Sequence, residues 1–389
     1  HNLTGAIRFG HRVKSAEWSD ADSLWDVGVE TNGEIVHIRC RFLWVCGGYY
    51  NYEHGYSPKF ADEEKFGGVI IHPQHWPQDL DYSGKRVVVI GSGATAITLV
   101  PSMAEKAAHV TMLQRSPTYV VSLPSKDRIA GFLRSFLPES TAYHIVRWKN
   151  VLFGMLFYNL SRSKPQMIKN FIVGGVRRAL KPGYEVERHF APRYNPWDQR
   201  VCVVPDSDLF EYINTGKVAV VTNEIEKFTA KGILLKSGQE IEADVVVRAT
   251  GLDLLALGGI GIRVNGEEVV LNKRLSYRGM MIEGVPNLAF VLGYTNASWT
   301  LKADLVSEYV CRLLNHMKES GLKKCSPEMH DSSVTGMAAF DFTSGYVQRG
   351  IDRFPQQGTR KPWRLHQNYA KDIMMLRHGS LDDGVLEFK

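Results

Sequence analysis

A short β-branched run, Lys85-Arg86-Val87-Val88-Val89-Ile90, ends in Gly91-Ser92-Gly93-Ala94-Thr95-Ala96 and leads directly into an Ala-, Leu- and Met-rich stretch reaching Ala108. A strand that stops on a glycine turn and restarts as a helix leaves the backbone amides of that turn without partners. The chain can satisfy them by holding a phosphate at the helix N-terminus. The spacing Gly91-x-Gly93-x-x-Ala96 assigns a tight turn to Gly91, close approach of a pyrophosphate to Gly93 and close helix–strand packing to Ala96. His109-Val110-Thr111-Met112-Leu113 reads as the next strand, which completes a βαβ unit and places Ser92, Ala94 and Thr95 on the phosphate turn.

The choice of dinucleotide turns on the end of that next strand. An NAD site usually has a carboxylate there for the ribose 2′-hydroxyl. This chain has Gln114-Arg115-Ser116-Pro117, with no acid nearby. Arg115 and Ser116 suit a 2′-phosphate, which favours NADP(H).

A second pattern occurs twice. Leu24–Glu30 and Ile35–Val45 flank the hairpin signal Asn32-Gly33 and run into Cys46-Gly47-Gly48; Gly232–Lys236 and Glu240–Arg248 flank Ser237-Gly238 and run into Ala249-Thr250-Gly251. Each copy is a hairpin followed by an apolar strand and a terminal glycine, as where a β-meander returns to a nucleotide-binding sheet. Two copies predict an α/β fold with two Rossmann-like dinucleotide-binding domains. Only the second copy has its glycine cradle in the chain, so the first cradle is expected upstream of His1 and the chain reads as a piece of a longer protein.

Other features narrow the chemistry. With 389 residues, 44% hydrophobic and 23% charged, the composition is that of a globular protein. No run of 18 apolar residues predicts a membrane span. Five scattered cysteines form no Cys-x-x-Cys pair and suit a reducing cytoplasm. Residues 125–200 hold 14 Lys and Arg against five Asp and Glu. Most of these charges read as a solvated helical face; the segment can otherwise meet an anionic cofactor or a membrane surface, and no zinc-finger or RRM signature supports nucleic acid. Within it, Val151 to Leu160 (VLFGMLFYNL) is read as core or tunnel wall, with peripheral membrane contact as the other reading. His72 and His75 lack a carboxylate–histidine cluster, so no metal site is expected.

Two further segments admit two readings each. Asn296 and Ser298 precede a helix whose apolar face takes in Leu301, Leu305, Val306, Tyr309, Val310, Leu313, Leu314 and Met317. They either cap a core helix or leave its N-terminus to face a flavin or its phosphates. Arg200, closing the loop Asn195-Pro196-Trp197-Asp198-Gln199-Arg200, either pairs with an acid such as Asp198 or stabilises an oxygen anion in a desolvated site.

The run from Phe66 to Pro77, FGGVIIHPQHWP, has the spacing Phe-x-Gly-x-x-x-His-x-x-x-Trp-Pro beside the cradle. Phe66, Gly68, His72, Trp76 and Pro77 match the fingerprint of the Baeyer–Villiger monooxygenases. GYYNYEHGYSP before it, and HVTMLQRSPTY, YNPWDQR and GYTNASWTLKADLVSEYVCRLLN after it, stand in that family's order, so the resemblance spans nearly the whole chain.

The resemblance implies bound FAD, NADPH as reductant and O2 as oxidant. It implies oxygen insertion into ketones, or oxidation of thioethers and thioamides, through a C4a-peroxyflavin. Arg200 matches the essential active-site arginine of the family. Gly91, Gly93, Arg115 and Ser116 match NADP-binding positions, and the fingerprint serves the linker and conformational cycle. The implied layout is a discontinuous FAD domain (1–60 and 251–389), a linker (61–84) and an NADP domain (85–250) with a helical insertion at about 125–200. The family's first glycine cradle, and an aspartate that pairs with the arginine, belong upstream of His1, which predicts weak FAD binding by this piece alone. Gly47 stands where relatives often carry serine or threonine. The rivals are an N-hydroxylating or other flavin monooxygenase, and a non-catalytic NADP-binding or membrane-surface module.

Overall fold

The computed structural model describes residues 3 to 389. The chain separates into two compact units, one formed by residues up to 51 with 254–341 and 347–389, the other by 52–253 with 342–346.

The chain begins in the first unit with a meander, β1 (Arg12–Ser19), β2 (Leu24–Thr31) and β3 (Glu34–Cys40), followed by β4 (Leu43–Val45). Trp18 and Trp25, partners in the β1–β2 register, are wholly buried and meet edge to face at 5.7 Å. The expected single strand from Ile35 to Val45 is broken at Arg41-Phe42, because β3 pairs with β2 whereas β4 pairs elsewhere.

The second unit begins with β5 (Val69–Ile71), β6 (Arg86–Ile90), α1 (Ala94–Ala104) and β7 (His109–Gln114). The segment expected as a linker thus supplies a strand. The predicted helix stops four residues short of Ala108, because Ala108 N–H donates to the Lys85 carbonyl and Lys106 accepts from Gly84, binding the turn to the start of β6. Next come β8 (Val120–Leu123), the helices α2 (Arg128–Arg134), α3 (Glu139–Ser163), α4 (Pro165–Ala179) and α5 (Val186–Phe190), and β9 (Cys202–Pro205) parallel to β8. The helical insertion therefore lies between two paired strands. α6 (Asp208–Asn214), β10 (Val218–Thr222), the meander β11 (Ile225–Phe228), β12 (Gly232–Leu235), β13 (Glu240–Glu242), and β14 (Val245–Arg248) complete the unit.

Its main sheet is parallel, in the order β10-β7-β6-β14-β5. Both faces are covered. Val87 and Val89 of β6 join a core with α1, α4 and α6, while Val88 and Ile90 pack with Phe228, Ile233 and Leu235 of the meander. Burial on two sides is why β6 and β14 read as unbroken apolar runs instead of alternating ones. The chain breaks between β13 and β14 at Ala243-Asp244, as it does after β3. There the Asp244 carboxylate accepts the Arg86 N–H (2.8 Å) and its carbonyl accepts the Val69 N–H (3.1 Å).

The chain then returns to the first unit. β15 (Gly261–Val264) adds parallel to β1, and β16 (Glu267–Glu268) closes that edge. After the short pair β17 (Ser276–Tyr277) and β18 (Met281–Ile282), β19 (Leu288–Phe290) lies parallel to β4 and is followed by α7 (Trp299–Glu319). Buried Asn287 secures the Arg41-Phe42 break: its Nδ2 donates to the Arg41 carbonyl (2.7 Å) and its own carbonyl accepts from Leu43 N–H (2.9 Å). Both copies of the predicted repeat thus end in a strand that leaves its meander for a parallel partner.

Candidate functional site

The phosphate turn sits at the C-terminal edge of β6. Gly91 has φ +136°, and a Cβ there would lie 2.3 Å from the Ala249 carbonyl oxygen, so only glycine fits. Its N–H donates to the Leu113 carbonyl at 2.8 Å, tying the turn to β7. Gly93 differs: its φ is −77°, and a Cβ would meet nothing within 4 Å. The chain itself does not demand glycine at 93, and the space there is open. Gly93 caps α1 without a side-chain cap bond, the first turn holds no acid, and Ala94 and Thr95 are exposed. Ala96 is wholly buried against the sheet.

β7 lies directly beside β6, with Leu113 opposite Ile90, so Arg115 and Ser116 emerge next to the turn. Ser92 joins the two strand ends. Its hydroxyl reaches the Ser116 carbonyl (3.3 Å) and lies 2.8 Å from Thr118 Oγ1. Arg115 is exposed, and Glu224, an acid that feels its charge, is itself hydrogen-bonded to Lys236. Seven predicted positions, Gly91 to Thr95 with Arg115 and Ser116, are therefore brought together at one sheet edge. Thr118 was not predicted; no pattern marks a threonine 26 residues from its partner.

The fingerprint residues have local work to do. Phe66 packs edge to face on Phe228 (5.8 Å). A Cβ on Gly68 would strike the Asp244 carbonyl at 2.4 Å and the Phe66 ring, so Gly68 admits β5 to the sheet edge. His72 follows β5, and its Nδ1 accepts the Gln74 N–H (3.2 Å). Burial, helped by His75 and Arg248, holds His72 below the ordinary imidazole value. Trp76 meets Tyr82 edge to face, and the Pro77 carbonyl accepts from Leu80 N–H. Beside them Arg248, the last residue of β14, pairs with Glu63 at 2.6 Å with both side chains under 20% exposed. Sequence reading missed this pair; 185 residues separate its members.

Arg200 is half-buried at the end of its loop, two residues before the buried Cys202. Asp198, one candidate partner for it, has Oδ1 on Arg162 (2.7 Å) and Oδ2 on the Asn195 N–H (3.0 Å). Trp197 sits at φ +69° with its ring against Tyr158, and Thr343 donates twice to the Asp198 carbonyl. The loop before Arg200 is thus fixed from several sides. Burial pushes the Cys202 thiol up to about 11, and the Arg200 charge opposes that.

In the other unit, Trp299 opens α7, stacked on Tyr49 at 4.6 Å in the space beside Gly293. Ser298 turns its hydroxyl to Thr300 Oγ1 (2.8 Å) and caps no N–H, and Asn296 donates to the Gln367 carbonyl (3.0 Å). Of the two readings of this helix start, side-chain capping is not used. The apolar face is as expected except at Leu314, which is 40% exposed. The buried position that the pattern did not include is Lys302. Its ammonium bonds Asp372 Oδ2 (2.8 Å), which also accepts the Tyr294 hydroxyl (2.7 Å). Burial presses Lys302 below its ordinary value while Asp372 opposes this. Gln367, at φ +48°, accepts from both the Thr295 N–H and hydroxyl. Residues 367–372 therefore hold the loop that carries Asn296 and Ser298.

A two-sided parallel sheet with a glycine turn at its edge, and a second unit built on the same meander-and-return plan, define a dinucleotide-binding α/β protein. The flavin-binding monooxygenase-like family matches residues 6–278, and the chain belongs to it. One relative is the FAD-containing monooxygenase EthA of Mycobacterium tuberculosis, 53% identical over 383 residues, covering 98% of this chain and 78% of that protein. Another is the putative FAD-containing monooxygenase MymA of the same organism, 48% identical over 389 residues, with 98% and 78% covered. Among solved structures, an oxidized steroid monooxygenase bound to NADP aligns with TM-score 0.67 at 24% identity, over 84% of this chain and 70% of that one, a likeness of fold. Membership makes the chain a flavin monooxygenase, and the non-catalytic alternative falls. Among the described residues no His, Cys, Asp or Glu cluster could hold a metal, and no helix is long and apolar enough to cross a membrane.

Proposed function

We propose that the chain uses NADPH, FAD and O2 to place one oxygen atom into a ketone, giving an ester or lactone, or onto sulfur in a thioether or thioamide. One observation carries the cofactor choice: Ser92 joins the phosphate turn to the strand end that bears exposed Arg115 and Ser116. A planar guanidinium and a hydroxyl there suit a 2′-phosphate, and the strand end Gln114-Arg115-Ser116-Pro117 itself carries no carboxylate.

In this reading residues 52–253 with 342–346 hold NADP(H), and the other unit holds FAD. The residues fit both groups. Gly93 leaves open space, and the α1 N-terminus has no side-chain cap, which suits a pyrophosphate. The α7 N-terminus is likewise uncapped by side chains, which suits the negative charge of a reduced flavin ring. FAD, when bound, supplies the activation of O2 that no protein side chain provides. The chain's part is to bind and orient. Arg115, Ser116 and residues 91–95 fix the nicotinamide cofactor. The loop 293–298 and the first turn of α7 meet the flavin. Arg200 offers a permanent positive charge to an oxygen anion, a role for which its braced loop and half-buried position are suited. The fingerprint residues brace the edge of the NADP(H) unit.

NADPH consumption measured over a panel of ketones, thioethers and thioamides, with product identification, tests this. Ester or S-oxide formation supports the reading; N-hydroxylation alone would place the chain with other flavin monooxygenases.

A further inference from the structure

The run Val151 to Leu160 lies on α3, and the core reading fails for much of it: Leu152, Phe153 and Leu156 are 58, 64 and 56% exposed. They are not isolated. Ile145, Trp148, Leu152 and Leu156 follow one another at spacings of three, four and four, which makes one stripe along the helix, and each is at least 42% exposed. α2 packs on α3, with its N-cap Asp127 bonded to Lys149, and carries Ile129 and Phe132, followed by Phe136, at 52, 69 and 59% exposure. Phe132 and Phe136 touch edge to face at 5.0 Å. Fully exposed side chains of this kind present roughly 150–250 Å² each when aromatic. Their exposed fractions sum to several hundred Å², more than a soluble monomer ordinarily leaves bare.

The charges around this surface are predominantly basic. Residues 126–164 hold seven Lys and Arg against two acids, Asp127 and Glu139. Asp127 is spent on Lys149. Lys126, Arg128 and Arg134 are exposed beside Ile129, Phe132 and Phe136. We propose that α2 and α3 form a docking surface for an anionic lipid bilayer, lying in the interface with the apolar side chains sunk between headgroups and the basic ones on phosphate. Phenylalanine, tryptophan and leucine flanked by Lys and Arg is the composition of an interfacial helix, and among the described residues no helix is long and apolar enough to span the bilayer instead. A second copy of the chain is the poorer occupant. A twofold contact would set this cationic surface against itself, whereas an anionic bilayer complements it.

The test is sedimentation of the full chain with vesicles of equimolar phosphatidylglycerol and phosphatidylcholine, against vesicles of phosphatidylcholine alone. The expected result is binding to the anionic vesicles, weakened at high salt. Phe132→Ser with Phe136→Ser, and separately Leu152→Ser with Phe153→Ser, should each lower the partition coefficient at least about tenfold. Lys126→Glu with Arg128→Glu should do so as well. These side chains are exposed, so the thermal midpoint should stay at the parent value, and the charge variant keeps the test open if an apolar one misfolds. Three results would overturn the proposal: a parent chain that stays in the supernatant; loss on charge reversal but not on apolar substitution, which marks a soluble polyanion; or a parent dimer in size-exclusion chromatography that the serine variants convert to monomer.

Discussion

The hydroxyl of Ser92 lies 2.8 Å from that of Thr118 and reaches the Ser116 carbonyl at 3.3 Å, so the middle residue of the phosphate turn is fastened to the far side of the neighbouring strand's end. The turn and the strand end thereby form one surface. A pyrophosphate on the first and a 2′-phosphate near Arg115 would be read together.

Arg115→Ala should therefore change which nicotinamide is used more than whether one is used. Loss of a charge-assisted contact of about 1.5–3 kcal/mol predicts a fall of roughly ten- to hundredfold in kcat/KM for NADPH, with kcat/KM for NADH little altered. Equal losses for both cofactors would remove Arg115 from 2′-phosphate recognition.

The two glycines of the turn should separate folding from binding. Gly91→Ala forces a side chain onto the Ala249 carbonyl at a φ of +136°. A loss of about 1–3 kcal/mol in unfolding free energy is expected from the backbone strain alone. Gly93→Ala enters open space at an ordinary φ and should leave the thermal midpoint near that of the parent while weakening NADPH binding. Calorimetry and NADPH titration of the two variants check this; destabilisation by Gly93→Ala would contradict it.

Much of this edge is legible in the sequence because it is local. The strand, the turn and the helix of the βαβ unit follow one another within 30 residues, and burial of β6 on both sides gives the apolar run that marks it. What the sequence hides is long-range. Nothing in the periodicity of residues 35–45 or 240–248 says that the chain must change sheets at Arg41 and Asp244, because the break depends on β19 and β6 standing elsewhere in the chain. Lys302 looks like a solvated lysine until Asp372, 70 residues on, is packed against it. Leu152, Phe153 and Leu156 read as core for the opposite reason: an apolar run carries no sign of what covers it.

Asp372→Asn should leave the Lys302 amine buried without its counter-charge. A loss of about 3–5 kcal/mol is expected at neutral pH. Its pH dependence has a definite sign. Burial holds the folded-state Lys302 below its ordinary 10.5, so the unfolded chain binds more protons in the interval between the two values, and stability must rise with pH there. The deficit of the variant should shrink as pH is raised toward 10, as followed by denaturant unfolding at several pH values. A deficit independent of pH would mean that lost packing, not the lysine charge, is responsible.

Asp244 should contribute to acid stability. Hydrogen bonds from the Arg86 side chain and backbone hold its carboxyl at about 2, below the ordinary 3.8. A depressed carboxylate stabilises the fold above 3.8 and loses that contribution as pH falls toward 2. The side chain is 39% exposed, so solvent screening keeps the effect to about 1 kcal/mol or less. Parent stability should drop more steeply than that of Asp244→Asn between pH 4 and 2; parallel curves would contradict the assignment.

Oxygen transfer from O2 driven by NADPH is the reaction that everything in this site serves in the proposed reading. The most direct measurement supplies isotopically labelled O2 with NADPH and a ketone or thioether to the parent chain and to Arg200→Ala, and follows label in the product by mass spectrometry. The parent should place one labelled atom in each product molecule for each NADPH consumed, and Arg200→Ala should bind NADPH normally yet lose product formation by about a hundredfold or more. NADPH consumption by the parent that yields only hydrogen peroxide across the substrate panel, or labelled product undiminished in Arg200→Ala, would contradict the account.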